Sequence, residues 1–283
     1  MHNRRIKRHF FFCVLSAMMF SFGPCEAALF DDKFAVVVID SQTENKIGGF
    51  PSRQVLSRLI DRIGAAKPKS IILKFFLDSE GTEPDSSLLA ESIGKTRVIL
   101  QATLNKEPPT SKLLDERFFF KEPIAPHKPV LSGNEGWLPL KRFADKAPKV
   151  CFADVVTPER VPIIEMFQLR PVESLYACAL AETFGDGKTQ LTSHRATFGK
   201  HSLPLDDAGE VRIGLADMSL PSSISALRLL DGSVASNVLA GKVVILAYTG
   251  SRSPTVNVRG TAVMTHQVFL AQLRELVAGL RQP

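Results

Sequence analysis

The sequence lacks the short signatures that mark most enzymes. It has no H-E-x-x-H, no C-x-x-C, no G-x-S-x-G elbow and no G-x-G-x-x-G. Two fragments imitate a phosphate-binding loop, Gly187-Lys188-Thr189 and Gly94-Lys95-Thr96. The glycine that loop requires further upstream is Glu182 in one case and Leu89 in the other. Ser92 and Lys95 match a bare S-x-x-K, but the S-D-N and K-T-G elements that accompany it are missing. Beyond the first residues, His127, His194, His201 and His266 show no metal-ligand spacing to each other or to cysteine. No basic stripe with interleaved aromatics is present, which argues against nucleic acid as a partner. Past the N-terminal region no apolar run is long enough to span a bilayer. Thr261–Leu280 comes nearest, but Arg274 and Glu275 interrupt it. No cofactor, no metal and no catalytic residue is expected.

What is present begins with a leader-like segment. Arg4, Arg5, Lys7 and Arg8 precede the uncharged run Phe10–Phe22, which Gly23 and Pro24 end. Cys25-Glu26-Ala27 then places small residues at the positions a signal peptidase reads. Residues 1–27 are therefore expected to be a cleavable signal peptide, a retained N-terminal anchor being the alternative. The remainder, 28–283, is expected to be a single domain outside the cytoplasm, periplasmic or secreted. Taking away four basic residues and Glu26 lowers the net charge from +6 to about +3, weak evidence for an anionic partner. Of four cysteines, Cys13 and Cys25 lie in the leader. Cys151 and Cys178 remain. Both a disulfide and two buried thiols fit, the first because an oxidising compartment permits it, the second because both sit in apolar runs.

Hydrophobic patterning predicts an α/β fold. Phe34–Ile39, Ser70–Leu77, Arg97–Ala102, Lys149–Val156 and Lys242–Tyr248 read as buried strands. After Ile39 a polar loop with Gly48, Gly49 and Pro51 is expected. A helix capped by Ser52 follows, with Leu56, Leu59, Ile60 and Ile63 on one face. A second helix, capped by Asp85, runs to Gly94. Strand–helix–strand–helix–strand order implies parallel strands with right-handed crossovers. Residues 103–148 hold seven prolines, together with Phe118–Phe120 and Trp137, and read as an irregular Pro-rich and aromatic excursion. Beyond it, Val161–Leu169 is expected to pair with the strand at 149–156, and Pro171 to open a helix reaching Phe184. Leu203–Ala216 is expected to form a hairpin about Asp206–Gly209. Ser222 or Ser223 is expected to cap a helix ending near Leu230, and a last helix to bury Phe269, Leu273, Leu276, Val277 and Leu280. The whole is a mixed, largely parallel sheet with helices on both faces, plus the Pro-rich excursion.

An open parallel sheet binds ligands beyond the C-terminal ends of its strands. Those ends supply Asp40 and Ser41, Lys74 and Asp78, then Tyr248, Thr249, Ser251 and Arg252. Asp40 opposite Lys74 fits either a buried ion pair or part of a polar ligand site. His266, near the start of the last helix, is placed either facing a crevice or packed in the core. Catalysis by Asp40, Lys74, Asp78 and His266 would need all four to converge.

The order of segments resembles the second type of CHASE domain, the extracellular sensor of bacterial histidine kinases, nucleotide cyclases and serine/threonine kinases. The likeness starts at VVVIDSQTENKIGGFPSRQVLSRLIDRIGAAKPKSIIL, residues 36–73. There a strand ends in I-D, a glycine and an F-P-x-R turn follow, and a helix leads to the next strand. It returns at FADVV (152–156), at LPLDDAGEVRI and at SSISALRLLDG…LAGKVVILAYTG, within 203–250, and His266 falls where the family has a histidine on its closing helix. The chain departs where the family's second strand carries an aspartate, here near Lys74. It departs again where a D-x-D-G-x-x-R turn reads Thr157–Val161, and where I-G-A-T reads Leu246-Ala247-Tyr248-Thr249. The resemblance implies an exported sensory or ligand-binding module, here expected without transmembrane helices or output domain. Its partner would be an unknown small molecule or a membrane-bound signalling protein. The alternative is a structural or assembly protein of the cell envelope, with 103–148 as its contact surface.

Overall fold

The computed structural model describes residues 25–106, 113–124, 127–155, 157–214 and 217–282. Most of the expected signal peptide, residues 1–24, lies outside the described residues, as do parts of the Pro-rich excursion and the end of the expected 203–216 hairpin.

Six strands form the parallel part of the central sheet: β1 (Phe34–Ile39), β2 (Ser70–Leu73), β3 (Val98–Asn105), β4 (Lys149–Phe152), β5 (Ser223–Ser225) and β6 (Val243–Tyr248). Their order across the sheet is β5–β1–β6–β2–β3–β4. Glu135–Trp137 adds an antiparallel segment beside the end of β3, pairing Thr103 with Trp137.

Each strand sends alternate side chains to opposite faces, and both faces are covered, so the strands read as unbroken apolar runs. Val37, Ile39, Ile71, Leu73, Val98 and Leu100 enter one core. Val36, Val38, Ile72, Ile99, Cys151 and Ile245 enter the other. The first core is closed by α3 (Arg53–Ala65), α4 (Glu83–Lys95), α5 (Lys141–Ala144) and α7 (Ala226–Leu230). The second is closed by α1 (Cys25–Lys33), α6 (Leu175–Phe184) and α8 (Thr265–Ala278). Each fully buried Val, Leu or Ile contributes about 1.5–3 kcal/mol relative to exposure. Cys151 on β4 and Cys178 on α6 are joined by a disulfide that pins the second helical layer to the sheet.

Local chemistry explains the helix starts. The Ser52 side chain accepts from Val55 N–H at 3.3 Å and opens α3. The segment after Ile39, expected as a loop, is instead α2 (Ser41–Ile47). Asp40 accepts from Thr43 N–H at 2.8 Å to start it, and Gly48, at φ 82°, ends it in the left-handed conformation. Asp85 lies inside the first turn of α4, whose cap position is Thr82. Pro171 does not open a helix. It sits in the strand Arg170–Glu173, and α6 begins only after Ser174, which accepts from Ala177 N–H at 3.1 Å. Nor does a serine at 222 or 223 cap α7, since β5 occupies Ser223–Ser225 and Ser225 is the cap residue.

Two expected pairings are corrected. Val161–Leu169 does not join β4; Arg160–Pro162 pairs with Glu210–Arg212, and Ile164–Phe167 with Arg170–Glu173 and Ser132–Gly133. The Asp206–Gly209 turn forms, with Gly209 N–H donating to Asp206 C=O at 2.9 Å. The strands on either side of it do not pair with each other: His201–Pro204 pairs with Arg195–Phe198 and Glu210–Arg212 with Arg160–Pro162. Within the described part of the excursion Phe118 and Phe119 are buried, while Leu113 and Val130 are exposed.

Candidate ligand-binding site

A pocket of about 580 Å³ opens at the C-terminal ends of β6, β2, β3 and β4, where a parallel sheet presents unpaired backbone and loop side chains. This volume suits a small organic molecule. Phe50, Phe76, Trp137 and Tyr248 surround it with aromatic surface, and Phe269 and Tyr176 reach it from α8 and α6. Phe76 and Trp137 meet edge to face at 4.9 Å, as do Phe50 and Tyr248. Trp137 remains 53% exposed.

Lys74 follows β2 directly, and its N–H donates to Leu246 C=O at 2.9 Å, extending the ladder. Its side chain is only 6% exposed. The ammonium sits 4.3 Å from the centroid of the Phe269 ring, a cation–π contact. Burial lowers its pKa to about 7, against the pull of the Asp154 charge, which favours the protonated form. No hydrogen bond from this ammonium is formed among the described residues.

Asp154, just past β4, accepts from Thr103 Oγ1 at 2.6 Å and from Leu104 N–H at 2.8 Å. Burial raises its carboxyl, and these bonds and the nearby Lys74 hold it down in part. Beside it, the fully buried Glu165 is pushed well above the usual carboxyl range, by burial first and then by the Asp154 charge. A proton on Glu165 lets the two carboxyl groups lie together without two negative charges meeting in the core.

Two more buried polar groups line the pocket. Gln101, 2% exposed, interrupts the apolar run of β3, and its Oε1 has no partner among the described residues. His266, on the first turn of α8, likewise has an unpartnered Nδ1. Its pKa is lowered to about 3, by burial and then by the positive Lys74, so the ring is neutral at physiological pH.

Surrounding bonds hold the walls. Tyr176 Oη donates to Gln272 Oε1, and Gln272 Nε2 donates to Pro158 C=O at 3.0 Å. Tyr248 Oη donates to Glu44 at 2.6 Å, and Glu44 also accepts from Ser251 N–H at 2.8 Å. The same carboxylate thereby fixes the loop that carries Arg252 to the rim. The Ser251 N–H bond, the largest of these influences, keeps Glu44 below the usual carboxyl range.

The residues singled out from the sequence separate into two groups. Lys74, Tyr248, Arg252 and His266 line the pocket together. Asp40, Ser41, Asp78 and Thr249 do not. Asp40 spends its carboxylate on Thr43, with bonds at 2.8 and 2.7 Å, and forms no ion pair with Lys74. Ser41 borders a separate open cleft with Glu44, Gly48 and Ser251. The four groups considered for catalysis therefore do not converge. Sequence reading passed over Gln101, Asp154, Glu165, Trp137 and Phe269. A signal existed for Gln101 and Asp154, each a polar residue breaking or closely following a run of buried strand residues.

Among the described residues, no group of histidine, cysteine, aspartate or glutamate is arranged to hold a metal ion, and no helix is long and apolar enough to cross a membrane.

Fold and pocket together describe an α/β domain with an aromatic-lined cleft at its strand ends. The chain matches the family model of the CHASE2 domain over residues 10–273, nearly its whole length, and belongs to that family of sensory domains. Comparisons with curated proteins and with solved structures give no match.

Proposed function

We propose that this protein is an exported sensory module that binds a small molecule in the pocket at the strand ends and signals through a membrane-bound partner, with no catalysis of its own. One observation carries the reading. Inside an aromatic pocket, Gln101 Oε1 and His266 Nδ1 are buried without hydrogen-bond partners among the described residues, and the Lys74 side chain, almost fully buried, meets the face of the Phe269 ring. Burying polar groups without partners costs about 1–3 kcal/mol each. A bound ligand that supplies those partners recovers this cost, which supports an occupant at this site. Export is supported by the leader-like residues 1–27 and by the Cys151–Cys178 disulfide, which persists in oxidising compartments.

Thermal-shift measurements against a small-molecule library test the reading. A binder should raise the melting temperature of the wild type and not of Ala153→Phe, which fills the pocket. A library without effect, or a shift that survives the filled pocket, would reject it. Cell fractionation with intact-mass analysis tests export. A species beginning near Ala28 in the envelope fraction is expected, and a cytoplasmic full-length species would contradict it.

A further inference from the structure

Resting on the reading of this pocket as a ligand site, we propose that its occupant is an aromatic carboxylic acid, whose carboxylate meets Lys74 and whose ring packs among Phe76, Trp137 and Tyr248. Charge decides the class. Among the described residues, the charged side chains that line the pocket are Lys74 at the floor and Arg252 at the rim, and no carboxylate lines it. Asp154, the nearby acid that acts on Lys74, already engages Thr103 Oγ1 and Leu104 N–H. The Lys74 ammonium carries three donors, none with an acceptor among the described residues, and the Phe269 ring offers it only a face. A carboxylate supplies the missing acceptors and the opposite charge.

His266 agrees with an acid. His266 is neutral, so it adds no charge, and its Nδ1 can donate to a carboxylate oxygen. Gln101 Oε1, the unpartnered atom, is an acceptor, so it suits a donor group on the ligand separate from the carboxylate. An amine would face two cations, with no carboxylate among the described lining residues to receive it. A neutral alcohol would fill the aromatic space but leave the ammonium without a counter-charge. The rings on the pocket wall favour a flat body, because offset and edge-to-face contacts between aromatics add about 0.5–1.5 kcal/mol beyond burial.

The experiment exploits Trp137, the sole tryptophan of the chain, whose indole lines the pocket. Its emission is followed while 4-phenylbutyrate, 4-phenylbutanol and 4-phenylbutylamine, and the naphthyl analogues of each, are titrated into wild type and Lys74→Met. Methionine keeps an unbranched apolar chain in the site. The acids should bind wild type at least tenfold more tightly than the matched alcohols. Lys74→Met should erase that preference while still binding the alcohols. If the alcohols or amines bind as well as the acids, or if Lys74→Met keeps the preference, the ligand class is wrong and the pocket stands as a ligand site. If no compound of the six alters Trp137 emission, the ligand class and the reading of the pocket fall together.

Discussion

Lys74 Nζ and the Phe269 ring, 4.3 Å apart, connect the end of the second strand of the sheet to the first turns of its last helix. The contact places a buried cation beneath the pocket and gives it no hydrogen-bond acceptor. The ammonium is therefore costly in the fold, and this has a pH signature. The lysine pKa falls from 10.5 in the unfolded chain to about 7 in the fold. Between those values the unfolded chain binds more protons, so stability should rise as pH rises from about 7 toward 10.5. Lys74→Met should remove this rise and be more stable at neutral pH by a few kcal/mol. Thermal melts of both proteins across this range measure it; parallel pH profiles would contradict the buried, unpaired lysine.

Glu165 carries the opposite sign. Its carboxyl is raised well above 4.5 in the fold, so its stabilising contribution is complete below 4.5 and lost as pH rises toward the folded value. Glu165→Gln cannot ionise in the unfolded chain and should gain stability over wild type between pH 5 and 7. The two should converge near pH 4. A variant less stable than wild type at neutral pH would show that Glu165 is ionised and paired.

Cys151 and Cys178 are 27 residues apart in sequence, and their bond ties α6 to the strand that precedes Asp154. Closing a loop of that size is worth roughly 3–4 kcal/mol by the chain-entropy estimate. Cys151→Ala with Cys178→Ala should melt lower than the oxidised wild type by an amount consistent with that loss. Reductant should lower the wild type similarly and leave the double variant unmoved. Two free thiols in protein isolated under oxidising conditions would contradict the bond.

The parallel sheet was legible because its strands are buried on both faces. FAVVVI sends Val37 and Ile39 to one core and Val36 and Val38 to the other, which produces an unbroken apolar run rather than alternation. The hairpin Ile164–Phe167/Arg170–Glu173 was hidden, because its two turn residues, Gln168 and Leu169, hold φ of 49° and 62° without the glycine or asparagine that announces such a turn. Proline at 171 then imitated a helix start. The short helix at Ser41–Ile47 was hidden by its composition; its polar residues carry no apolar stripe, and its cap, Asp40, drew attention as a site residue instead. Half of the site was legible for a geometric reason: Lys74 and Tyr248 stand at ends of parallel strands. The rest was harder to see: Gln101 is a single polar residue inside a buried strand, and Asp154 and Glu165, which do not line the pocket, meet only once β4 and the hairpin at 164–173 pack together.

The account stands most directly on where a ligand sits. A crystal structure of the protein with the tightest binder from the library should show that molecule between Lys74 and Trp137, with an acceptor atom on Lys74 Nζ. A binder located elsewhere, with the pocket empty and the Lys74 ammonium still against Phe269 alone, would contradict it.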